Sequence, residues 1–164
     1  MNKSIRASVL SVAVTCCSFA ASAGSLISNV PVLTLEGAKV IASASAAKAK
    51  AENWNVVIVV ADANGRVTYL ERMDRTSPSS VDVAMKKAET AALYNRDTKV
   101  FADRVIGGES TLMTLPDMLP FQGGLPVVVD GTLVGSVGVS GVQGHQDAAI
   151  GQAGIDAFMQ ALNK

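Results

Sequence analysis

Two rhythms organise the hydrophobic positions of this chain. Residues 56–61 set five β-branched side chains in a row and close on Ala61, a run that suits a strand covered on both faces. Asp62-Ala63-Asn64-Gly65 reads as a turn with Asn64-Gly65 as its positive-φ pair. Residues 66–73 then return, with Val67, Tyr69 and Glu71 alternating against Thr68, Leu70 and Arg72. A second hairpin is built the same way. Apolar runs at 125–129 and 133–139 are joined by Asp130-Gly131, a pair suited to the two positive φ angles of a type I′ turn. Gly135 and Gly138 interrupt its second strand, which predicts a bulge or the close approach of another part of the chain.

Elsewhere the period lengthens to that of a helix. Thr34 is placed to cap a first helix, with Glu36 in its first turn and Leu35, Ala38, Ile41, Ala42, Ser45, Ala46 and Ala49 along one face; it should end near residues 53–55. Ser79 or Ser80 is the expected cap of a second helix reaching about Asn95, with Val81, Ala84, Met85, Ala88, Ala91 and Ala92 on one side. Asp82, Lys86, Lys87 and Glu89 fall partly opposite. Residues 99–106 suggest a short helix broken by Gly107-Gly108. Residues 109–122, with Pro116 and Pro120, read as irregular and are too long for a plain connection. Met113, Met118 and Phe121 give that stretch apolar side chains in need of a cover. Asp147 is the expected cap of a last helix over 148–162, with Ile150, Ala153, Gly154, Ala157 and Ala161 inward. Two hairpins with flanking helices make an α+β domain with an antiparallel sheet.

Composition sharpens this picture. The 164 residues suit one domain, and 49% hydrophobic with only 4% aromatic content means a core of small aliphatic side chains. Lys3 and Arg6, an apolar stretch at 7–19 and Ala21-Ser22-Ala23 form a signal-peptide pattern over 1–23. The apolar stretch is shorter than the ~20 residues of a spanning helix. The expectation is therefore a leader removed before Gly24, a single domain over 24–164 that is periplasmic or secreted, and no membrane attachment after cleavage. Cys16 and Cys17 fall inside the leader, so the mature chain forms no disulfide. Cleavage leaves 12 basic against 14 acidic residues, without the concentrated basic footprint of a nucleic-acid binder.

Four segments carry a family likeness: VVADANGRVTYLERMD, SVDVAMKKAETA, GGLPVVVDGTLVGSVGVSG and HQDAAIGQAG. Together they resemble the GlcG/HbpS family, also known as the domain of unknown function 336 or haem-degrading family and related to the C-terminal domain of PduO. The likeness covers roughly residues 33–162. It implies a profilin-like antiparallel sheet of about five strands flanked by helices, assembly into homo-oligomers and, for some members, binding of haem or corrinoid-related small molecules. The chain departs from the family pattern at Val142, where a second glycine commonly follows Gly141.

Candidate chemistry gathers between residues 138 and 147. His145, the only histidine, is a candidate axial ligand to haem iron; it is otherwise an exposed loop residue beside a helix start. Gly141 and Gly144 lack a Cβ and would let the backbone approach a flat ligand. Lys87 is the candidate partner for a haem propionate or substrate carboxylate, against the alternative of an ordinary solvated helix face. Asp147 reads first as a helix cap and second as a charged site group. Tyr69 and Tyr94 read as packing groups rather than haem ligands. Neither the G-x-S-x-G elbow nor the G-x-G-x-x-G fingerprint is present. Three readings stand: a small-ligand-binding protein for haem or a related tetrapyrrole, an oligomeric accessory protein without its own ligand, and an enzyme acting on a small organic acid through Lys87 and Asp147. Whether the protein is catalytic stays open at this point.

Overall fold

The structure is a computed structural model that describes residues 28–164; the expected leader at 1–23, with Cys16 and Cys17, lies outside the described residues. Strands β1 (Val57–Asp62), β2 (Val67–Arg72), β3 (Gly124–Val129) and β4 (Thr132–Ser140) form one antiparallel sheet in the order β2-β1-β4-β3. Helices α1 (Leu35–Ala51) and α4 (Gly144–Leu162) cover one face. Helix α2 (Ser79–Leu93) lies on the other, and α3 (Thr98–Ile106) and a 3-10 turn (Ser110–Thr114) lead on towards β3. The α+β class is as expected, with four strands among the described residues rather than about five. The lead-in to α1 runs beside β4 just past the Asp62–Gly135 pair, but contributes a single sheet-like bond, from Leu33 N–H to the Val134 carbonyl.

The β-branched run folds as its composition demands. Every residue from Val57 to Ala61 is buried: Ile58 and Val60 face α1 and α4, while Val57, Val59 and Ala61 face Ala84 and Ala88 of α2. The Asp130-Gly131 turn has φ of 48° and 77°, as a type I′ turn requires. In the first hairpin only Gly65, at 78°, takes positive φ; Asn64 does not, because the Asp62 carboxylate accepts from the amides of Asn64 and Arg66 and shapes the turn itself.

The glycines of β4 mark both events expected of them. The β3–β4 register slips between Val127, opposite Gly135, and Val128, opposite Leu133, leaving Val134 as the extra residue. Gly138 stands opposite Gly124, and α2 rests on the pair. A Cβ on Gly138 would lie 2.0 Å from the Ala84 carbonyl oxygen, and one on Gly124 2.3 Å from that of Lys87. No layer of side chains separates helix from sheet there.

Several helix boundaries differ from expectation. Thr34 does cap α1, accepting from Gly37 N–H, but Leu35 is exposed while Ala38, Ile41, Ala42, Ser45, Ala46 and Ala49 are buried. Neither Ser79 nor Ser80 caps α2, whose N-cap position is Pro78 without a side-chain bond. On α2, Met85 is exposed and Lys87 is interior, the reverse of the expected assignment. Helix α4 begins at Gly144 after the N-cap Gln143, whose amide donates to the Gln146 side chain as in a capping box; Asp147 is thus in its first turn and not its cap. The inner face of α4 is Asp147, Ile150, Gly151, Gly154 and Phe158.

Candidate ligand site: a buried ion pair beside an apolar groove

The glycine pair brings the backbone of α2 onto the sheet, and this delivers Lys87 to the end of β4. Its ammonium is 2.7 Å from Asp147 Oδ2 and donates a second bond, of 2.9 Å, to the Val139 carbonyl. Both side chains are shut away, Lys87 at 1% exposure and Asp147 at 2%. The other Asp147 oxygen, Oδ1, accepts from the Val142 amide. Burial is the largest influence on Asp147 and pushes its carboxyl up; Lys87 and the amides of Val142 and Gly141 pull it down. The pair ties α2, β4 and α4 together at one point.

Gly123 completes the enclosure. With φ of 120° it takes a conformation that favours glycine, and a Cβ there would stand 2.8 Å from both Lys87 Nζ and Asp147 Cβ. Two residues earlier, the ring of Phe121 lies with its centroid 5.7 Å from Lys87 Nζ, within cation–π range.

Beyond Phe121 opens an apolar groove of about 490 Å³, within the size range of small-molecule sites. Ile106 of α3, Met113, Leu119, Phe121 and Gly144 contribute to its walls. Ile106 is 85% exposed, Met113 63% and Phe121 60%. The irregular segment forming one wall is held by hydroxyls of α2 and its neighbours. Tyr94 donates to the Pro116 carbonyl, Thr90 accepts from Leu119 N–H, and Thr98 donates to the Phe121 carbonyl while accepting from Gly124 N–H. Lys86 adds an ion pair to Asp117 and holds its carboxyl below the usual range. The backbone of the wall is fixed, and its apolar side chains are left bare.

The expected site residues divide on this geometry. Lys87 and Asp147 come together as partners of each other, buried beside the Phe121 ring. Gly144 lines the groove. His145 is exposed and follows it in the first turn of α4. Gly141 does not belong with them: the place of its absent Cβ is taken by the Asn55 carbonyl, 2.4 Å away, so its bareness serves packing against the start of β1. Tyr69 packs against the core and Tyr94 pins Pro116, so both tyrosines act as packing groups. Of the apolar trio expected in segment 109–122, Met113 and Phe121 line the groove and Met118 does not. Ile106 was not foreseen as a site residue, although an isoleucine directly before Gly107-Gly108 at a helix end is one signal that could have marked it. No group of three or more metal-ligating side chains occurs among the described residues.

Residues 33–156 match the family described as haem degrading protein HbpS-like. Protein GlcG of Escherichia coli is 41% identical over 109 residues, which are 66% of this chain and 81% of GlcG. A crystal structure of Streptomyces reticuli HbpS, in double-mutant form, superposes with a TM-score of 0.74 at 31% identity, covering 92% of this chain and 97% of that one. A crystal structure of a PduOC:haem complex superposes with a TM-score of 0.70 at 29% identity, covering 77% and 94% of the two chains.

Proposed function

Since the chain belongs to the HbpS-like family, we propose that it binds haem or a related tetrapyrrole, with the groove beside Phe121 as the seat of the macrocycle. The observation that carries this reading is the groove itself: an apolar cleft of about 490 Å³ whose walls are exposed Ile, Met and Phe side chains on a pinned backbone. Such a surface is costly to leave in water and suits a flat apolar ligand. The solved PduOC:haem complex, on a similar fold, supports the choice of ligand.

The residues present fit the group. Ile106, Met113 and Phe121 would cover its faces and exclude water, while Gly144, whose absent Cβ leaves room for Gln122, contributes to the edge of the groove. Haem, when bound, would supply an iron, and His145, exposed beside Gly144, is the residue that would hold it. Export to the periplasm or beyond, through the 1–23 leader pattern, and assembly into a homo-oligomer belong to the same proposal. The bare Ile106–Met113–Phe121 surface supports assembly.

Titration of the purified protein with haemin, followed by absorbance, tests the reading. Saturable binding with a defined Soret band is expected, and His145→Ala should move that band and weaken binding. A titration that never saturates ends the proposal. An unmoved band in His145→Ala removes His145 from the iron.

A further inference from the structure

We propose that Lys87 recognises an acid group on the groove's ligand, and that the Phe121 ring is the cover this group displaces. The inference rests on the groove reading above and names the chemistry the ligand must carry.

An ammonium has three N–H donors. Lys87 directs one to Asp147 and one to the Val139 carbonyl, and among the described residues no third oxygen accepts from it. What stands near it instead is the Phe121 ring at 5.7 Å, a weaker partner than a carboxylate. A buried cation with two acceptors for three donors, beside the aromatic ring that also lines a ligand-sized groove, is poised to take an anionic oxygen.

The ring is free to move although its backbone is not. The Phe121 carbonyl accepts from the Thr98 hydroxyl, which also binds Gly124 N–H, so the main chain on either side of Gly123 is fixed. The ring itself is largely in solvent, and rotation about its side-chain torsions suffices to clear the way. Gly123 has no side chain to stand in the gap, since a Cβ there would collide with Nζ. Asp147 need not be stranded when an acid arrives, because it shares the ammonium and keeps the Val142 amide on Oδ1. Gly144 lines the groove from the first turn of α4, where the helix dipole favours negative charge.

The test compares haemin with its dimethyl ester, which has the same ring and iron but no free acid. Both are titrated into wild type, Phe121→Ala, and the double variant Lys87→Met/Asp147→Leu, which removes both buried charges together so that neither is left unpaired. Circular dichroism confirms that each variant is folded. In wild type, haemin should bind about tenfold more tightly than the ester, the scale of one charge-assisted hydrogen bond. That ratio should fall to near one in the double variant. It should rise in Phe121→Ala, because both ligands lose the ring's apolar contact while only the acid is freed from competing with it. A wild-type ratio near one overturns the inference and leaves the groove reading intact. A ratio that survives in the double variant, or does not rise in Phe121→Ala, overturns it as well. If neither porphyrin saturates wild type, both readings fall.

Discussion

An ammonium and a carboxylate 2.7 Å apart in a dry interior are stable only together. Removing the cation alone strands a buried charge, and Lys87→Met is expected to cost about 3–5 kcal/mol at neutral pH. The loss depends on pH in a definite direction. With Lys87 gone, burial still pushes the Asp147 carboxyl up, so the folded state holds a proton that the unfolded chain releases. Folding then takes up a proton, and the stability of Lys87→Met rises as pH falls from above the folded value toward the ordinary aspartate range. Urea unfolding of wild type and variant across that range checks it: the gap between them should narrow on acidification. A constant gap means that Asp147 is not the stranded group. Both residues of this pair were visible in the sequence, yet their pairing was not. Lys87 continues the Ala84–Ala88–Ala91 stripe, and Asp147 that of Ile150, Gly151 and Gly154, each a charge at a position the helical period assigns to the interior. A stripe this rich in alanine has a poorly marked edge, so a lysine on it reads as a boundary residue. Nothing local links positions 60 apart.

Among the elements, α2 and the β3–β4 hairpin are the most tightly matched. Gly138 and Gly124 oppose each other beneath the helix, with Ala84 O in the space a Gly138 Cβ would need. Gly138→Ala must push helix and sheet backbones apart, which relaxes less readily than a displaced side chain. The expected loss is about 3 kcal/mol or more, at the upper end for overpacking, and it should also loosen the Lys87–Asp147 contact that depends on this approach. Equilibrium unfolding measures the first effect, and a variant as stable as wild type would mean that the glycine pair does not set the spacing. Both hairpins were legible because β-branched runs and Asx-Gly turns are local signals, and the two irregularities of β4 were legible from Gly135 and Gly138. The start of α4 was misplaced because Asp147 looks like a cap, whereas the Gln143–Gln146 box that begins the helix uses residues with a weaker local signature. The groove wall was legible only as an irregular stretch. Its shape comes from hydroxyls at Thr90, Tyr94 and Thr98, each at least 22 residues from the carbonyl or amide it holds at Pro116, Asp117 and Leu119–Gly124.

For the molecule as a whole, the bare surface at Ile106, Met113 and Phe121 is the feature the isolated chain leaves unresolved. The proposed assembly would cover part of it. Protein recovered from the periplasm should begin at Gly24 by intact mass and sediment as more than a monomer at micromolar concentration, and Ile106→Glu should shift it toward monomer without unfolding it. A monomeric wild type would refute assembly, and a mass retaining the leader would refute export. The two faces of the sheet also differ in a way that reaches beyond stability. Toward α1 and α4 the sheet presents Ile58 and a set of valines, whose methyl groups can be traded and repacked. Toward α2, at Gly124 and Gly138, it presents bare backbone, where no residue can be made smaller and none larger can enter. Under random mutagenesis with selection for folding, accepted changes should accumulate along the valine face, while the glycine pair stays as it is from one generation to the next.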